Sequence, residues 1–106
     1  MVYTTFLGVS DKISYRISYE STLTDLQTAT KTGWAFIAST IMQNVTDKPS
    51  DYGSNGSCFL GVLGGRGSQD LIQVLIKQGD NRVWLRGLWN GTIVADWKQL
   101  AFVTTQ

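Results

Sequence analysis

The sequence predicts an all-β domain, a small antiparallel β-sandwich or partly open barrel built of hairpins, with at most one short helical turn near residues 22–30. Three observations carry this. Ile13, Tyr15, Ile17 and Tyr19 alternate with Ser14, Arg16, Ser18 and Glu20, the period of a half-buried strand. The run from Leu71 to Lys77 is almost unbroken apolar sequence, as in a central strand covered on both sides. Asn90-Gly91, set between two strand-like runs, is the signature of a type I′ hairpin turn.

The elements follow in order. Val2, Tyr3, Phe6 and Val9 are β-branched or aromatic, and Ser10-Asp11-Lys12 supplies a polar turn, so residues 1–20 read as an N-terminal β-hairpin arm suited to oligomerisation. Residues 21–106 form the main domain. The helical turn is expected where Ser21 or Thr24 can cap Leu23 and Leu26, before Gly33 ends it; the threonines keep it short. Trp34 to Thr40 reads as a strand, and residues 44–56, carrying Pro49 and Asp51-Tyr52-Gly53, read as a long loop without period. A strand at residues 57–63 and a turn at Gly64-Gly65-Arg66-Gly67 lead into the 71–77 strand. Gln73 is the odd polar member of that strand. Gln78-Gly79-Asp80-Asn81 then turns the chain into residues 82–89, Asn90-Gly91 leads into Thr92-Ile93-Val94, and a last short strand closes the chain over residues 96–103.

Composition narrows the function. A chain of 106 residues is one domain with a modest core, which burial against another subunit would strengthen. Charged residues make up 16%, below the usual share of about 25%, so the surface relies on Ser, Thr, Gln, Asn and Gly. The net charge of +1 lacks the footprint of a nucleic-acid binder. There is no His, which removes His-based catalysis and zinc sites, and the single Cys58 removes thiolate clusters and an intrachain disulfide. Asp47, Asp51, Asp70, Asp80 and Asp96 are scattered and form no acidic pair. The expectation is a protein that is not an enzyme, with no cofactor and no metal. No run approaches the ~18–20 residues of a membrane span, and Met1 to Thr5 has no basic, signal-like start, so neither membrane insertion nor a signal peptide is expected.

Residues 82–89 hold the candidate site. Pleating sends Arg82, Trp84, Arg86 and Leu88 to one face and Val83, Leu85, Gly87 and Trp89 to the other. An indole flanked by guanidinium groups can stack a sugar ring and bind its oxygens; the plainer alternative is an edge aromatic with solvated arginines. Trp89, just before the turn, either closes the core or stands at its rim, with the core preferred. Trp34 and Trp97 are assigned to the core. The expected ligand-binding set is Arg82, Trp84, Arg86, Trp89 and Asn90, with Val83 and Leu85 turned inward.

Asp25-Leu26-Gln27-Thr28, Thr32-Gly33-Trp34-Ala35-Phe36-Ile37, Gly61-Val62-Leu63 and Arg86 with Trp89-Asn90-Gly91-Thr92 and Asp96-Trp97-Lys98-Gln99-Leu100 recur in a characteristic order. Over roughly residues 23–100 the chain resembles the pyocin-knob type domain of bacteriophage and pyocin tail fibres. It departs at Trp34-Ala35-Phe36, where that family commonly has consecutive tyrosines, and residues 1–20 lie outside the likeness. The resemblance implies a homotrimeric tail-fibre module in the virion, in contact with other tail proteins, that binds bacterial surface polysaccharide. It also allows a trimerisation or interaction domain with no ligand of its own.

Overall fold

The computed structural model describes residues 16–17, 23–53, 56–64 and 70–101. Strands β1 (Arg16–Ile17), β2 (Gly33–Ile37), β3 (Cys58–Gly64), β4 (Leu71–Lys77), β5 (Val83–Trp89) and β6 (Thr92–Gln99) form a single sheet in that order. The fold is all-β. The β1–β2 pair is parallel and every later pair antiparallel; β3 to β6 follow one another through short connections, whereas residues 38–57 join β2 to β3. The sheet does not close into a barrel. Apart from Arg16 and Ile17, the predicted N-terminal arm lies outside the described residues, as do Phe102 and Val103 of the expected last strand and Gly65 to Gly67 of the glycine turn.

Asn90 and Gly91 both have positive φ, 53° and 76°, the geometry a type I′ turn needs. Past that turn β6 runs without a break to Gln99, its register shifting beside Gly87. The only helix among the described residues is α1 (Ser39–Met42), within the stretch read as strand continuing to Thr40 and a loop beyond. Residues 23–30, where at most one short helical turn is expected, hold no helix. In its described part the chain makes one tight turn, Ala29 N–H donating to the Leu26 carbonyl at 3.0 Å, while the amides of Leu26 and Gln27 donate to the Asp47 carboxylate at 2.7 and 3.0 Å. Donors spent on Asp47 are withheld from a helical ladder.

Among the described residues only one face of the sheet is covered. Residues 23–32 and 43–53, tied together by Thr46 N–H donating to the Thr24 carbonyl at 2.9 Å, lie over it with α1. Between them and the sheet sit Leu26, Ala29, Met42, Val45 and Tyr52 from the covering segments and Ala35, Ile37, Cys58, Leu60, Val62, Leu71, Leu75, Trp84 and Leu88 from the strands. The expectation that β4 is covered on both sides is therefore corrected: Leu71, Gln73 and Leu75 are buried, but Ile72 is exposed. The assignment of Trp34 to the core is corrected: it belongs to the uncovered face and is half-buried there, its indole lying across Gly61, where a Cβ would come within 2.6 Å of the ring.

Candidate functional site

Cross-strand register puts Gln73 of β4 opposite Arg86 of β5, both inward and both buried, Arg86 at 1% exposure. Burying a guanidinium and an amide is costly unless each donor and acceptor is matched. Here they are. Arg86 Nε and Nη2 donate to Gln73 Oε1 at 2.9 and 2.7 Å, and Nη1 pairs with Asp47 Oδ2 at 3.0 Å. Its planar face stacks on Trp97, the guanidinium carbon 4.3 Å from the ring centroid. Gln73 Nε2 donates in turn to the carbonyls of Leu26 and Ala29 at 2.6 and 2.9 Å. Trp97 Nε1 donates to the Asp47 carbonyl at 2.7 Å. One network thus holds both covering segments to the sheet.

Trp84 is buried to 1% exposure beside Tyr52, ring centroids 5.6 Å apart, and its Nε1 donates to Asp51 Oδ1 at 2.9 Å. Arg82 stands above that indole at 5.0 Å and donates to the carbonyls of Asp51 and Tyr52 at 2.6 and 3.1 Å, and to Asp80 Oδ2 at 2.8 Å. Lys77 Nζ donates to the Tyr52 carbonyl at 2.7 Å. Each cation on this face is thus engaged by loop oxygens. Burial pushes the Tyr52 hydroxyl above its ordinary range, and it donates to the Gly56 carbonyl at 2.7 Å. Burial likewise pushes the Cys58 thiol up to about 11, which makes it an unreactive core residue.

The presenting face expected from the sequence is therefore the covered one. Alternation along β5 is as predicted, but its sides are exchanged: Trp84 and Arg86 point into the core, and Val83 and Leu85 lie half-buried on the open face. The physical reason is that Gln73, Asp47 and Asp51 satisfy the polar atoms of the first set, whereas nothing among the described residues covers the second. Trp89, assigned preferentially to the core, is 66% exposed, and Asn90 beside it is exposed. Trp97 is partly buried against the core.

Sequence reasoning missed the open face as a whole. Phe36, Phe59, Leu63, Ile72, Trp89 and Val94 are large apolar side chains between 41% and 66% exposed. Register places Phe36 opposite Phe59 and Leu63 opposite Ile72, so they share one side of the sheet. Phe36 and Phe59 pack with centroids 5.2 Å apart. Towards the other end of the strands is an open groove of about 590 Å³ on Gly87, walled by Leu63, Ile72, Trp89 and Val94, with Asp70 at its rim. Asp70 Oδ1 accepts the Asn90 amide at 2.9 Å, and Gln27 Nε2 donates to the Gly91 carbonyl at 3.1 Å, which fixes the turn carrying Trp89. The signal was present in Phe36, Phe59, Ile72 and Leu85, whose alternation says that they share a face but not whether it is covered.

Among the described residues no three His, Cys, Asp or Glu side chains converge as a metal site would need, and no helix is long and apolar enough to cross a membrane. Chemically, the arrangement offers a rigid apolar surface with one aromatic platform at its edge. Comparison with known protein families, with curated proteins and with solved structures finds no match for this chain.

Proposed function

We propose that this chain is a non-catalytic interaction module that works through the uncovered face of its sheet, as a structural fibre or baseplate domain of the kind the pyocin-knob resemblance implies. The observation that carries the reading is that six large apolar side chains on one face stand 41–66% exposed while Arg86 and Gln73 are buried on the other. Contiguous apolar patches of this extent mark interaction sites. Binding of a hydrophobic dye tests it: Ile72→Glu is expected to reduce dye binding, or the association that masks the face, in a folded variant. An Ile72→Glu protein that matches the wild type in both properties contradicts it.

A second reading is adhesion to a bacterial surface polysaccharide, which is favoured by Trp89. Its indole is two-thirds exposed at the groove edge beside exposed Asn90, and sugar rings stack on such faces. Arg82, Trp84 and Arg86 contribute to it only by holding the fold. Titration with bacterial surface polysaccharide against Trp89→Ala tests this reading, an unchanged affinity removing Trp89 from it.

A further inference from the structure

Beyond being apolar, the open face has a relief that is complementary to itself. We propose that it is covered by the same face of a second copy of this chain, the two sheets packing face to face about a two-fold axis. This inference rests on the interaction-module reading and names its partner, with a two-fold pair in place of the homotrimer that the resemblance implies.

Area is the first argument. The six exposed side chains leave on the order of 600 Å² of apolar surface in water, at or above the largest patch of an ordinary monomer. Half-buried Trp34, Val74, Ile76, Val83 and Leu85 lie among them and raise the face towards the roughly 800 Å² per partner that a stable pair uses. Charge does not oppose the pairing: register places Lys98 beside Leu85 at the margin, and the whole chain carries only +1.

Shape is the second. The Phe36–Phe59 pair rises over β2 and β3 at one end of the strands, and the Gly87 groove lies over β4 to β6 towards the other. Phe59 is opposite Ile76 and Leu63 opposite Ile72, so knob and groove are about four residues apart along the strands, roughly 13 Å, with Val74 between them. A two-fold axis lying between the sheets over Val74, perpendicular to the knob-to-groove diagonal, seats each Phe36–Phe59 pair in the partner's groove. Facing sheets then stand about 10 Å apart, the spacing of a β-sandwich core. Gly87 is the third argument. A Cβ there would meet only Val94 Cγ2 at 3.9 Å and Ala95 Cβ at 4.0 Å, ordinary contacts, so the chain's own packing does not require the glycine. An open floor at Gly87 leaves room for a partner's ring.

Sedimentation and light scattering of the full chain at micromolar concentration test the pairing. The wild type is expected as two copies, and Phe59→Ser and Gly87→Leu are each expected to weaken association roughly 30-fold while leaving the circular dichroism spectrum unchanged. In Phe59→Cys/Gly87→Cys, oxidation is expected to link two chains covalently, because the two positions are two strands apart within one sheet, beyond disulfide reach. A monomeric wild type whose face still binds dye, or an assembly of three or more copies, overturns the two-fold pairing but leaves the interaction-module reading standing. A dimer insensitive to Phe59→Ser, Gly87→Leu and Ile72→Glu overturns both.

Discussion

The two faces of this sheet differ in where their polar groups lie: the covered face carries buried polar side chains within its apolar core, whereas the open face is apolar and exposed. The covered face holds an arginine, a glutamine and a tryptophan bonded to carboxylates and loop carbonyls, and the open face holds phenylalanines, leucines, an isoleucine and a tryptophan in contact with water. The difference has a physical origin. Segments 23–32 and 43–53 are too irregular to satisfy their own backbones: Gln73 of the sheet bonds two carbonyls of the first, Asp47 of the second accepts two amides of the first, and Arg86 of the sheet holds Gln73 and Asp47 in place. A regular second layer would need only apolar contacts, and apolar side chains are what the open face exposes.

The comparison breaks most visibly at Arg86. Arg86→Ala removes the ion-pair partner of Asp47 and both donors to Gln73 Oε1, and is expected to cost about 2–4 kcal/mol in denaturant unfolding. A cost below 1 kcal/mol would mean that the network does not hold the cover. Gln73→Leu strands the Leu26 and Ala29 carbonyls together with the guanidinium, with an expected loss of about 1–3 kcal/mol by the same measurement. Trp89→Ala sharpens the contrast from the other side: measured on dilute protein it should change stability by no more than about 0.5 kcal/mol, as befits an exposed residue.

The smallest effect concerns Cys58. Its thiol is buried and its pKa is raised from 9.0 to about 11 by desolvation, so the folded state holds a proton that the unfolded state gives up. The stabilisation is complete below pH 9 and is lost as pH rises towards about 11. Cys58→Ala should flatten that alkaline decline, read as unfolding free energy against pH. In the native protein Cys58 should resist iodoacetamide.

Much of the fold was legible in the sequence, and the site much less so. Continuous apolar sequence located β4, and Asn90-Gly91 located the β5–β6 turn, because both are local properties of the chain. Alternation in β5 separated Trp84 and Arg86 from Val83 and Leu85, but the choice of inner face depended on segments 23–32 and 43–53, thirty or more residues away in sequence from β5. Those segments look like solvated loops because only Leu26, Ala29, Val45, Pro49 and Tyr52 among them are buried. Gln73 was the overlooked sign. A lone amide at an inward position of an apolar strand requires a buried polar partner, and Arg86, opposite it in register, meets that requirement.

The most direct measurement is the denaturant midpoint of the full chain over a hundredfold range of protein concentration. If the open face is an interface between copies, the midpoint rises with concentration in the wild type and becomes independent of it in Phe59→Ser. A wild-type midpoint that stays constant across that range would contradict the assignment of this face to self-association.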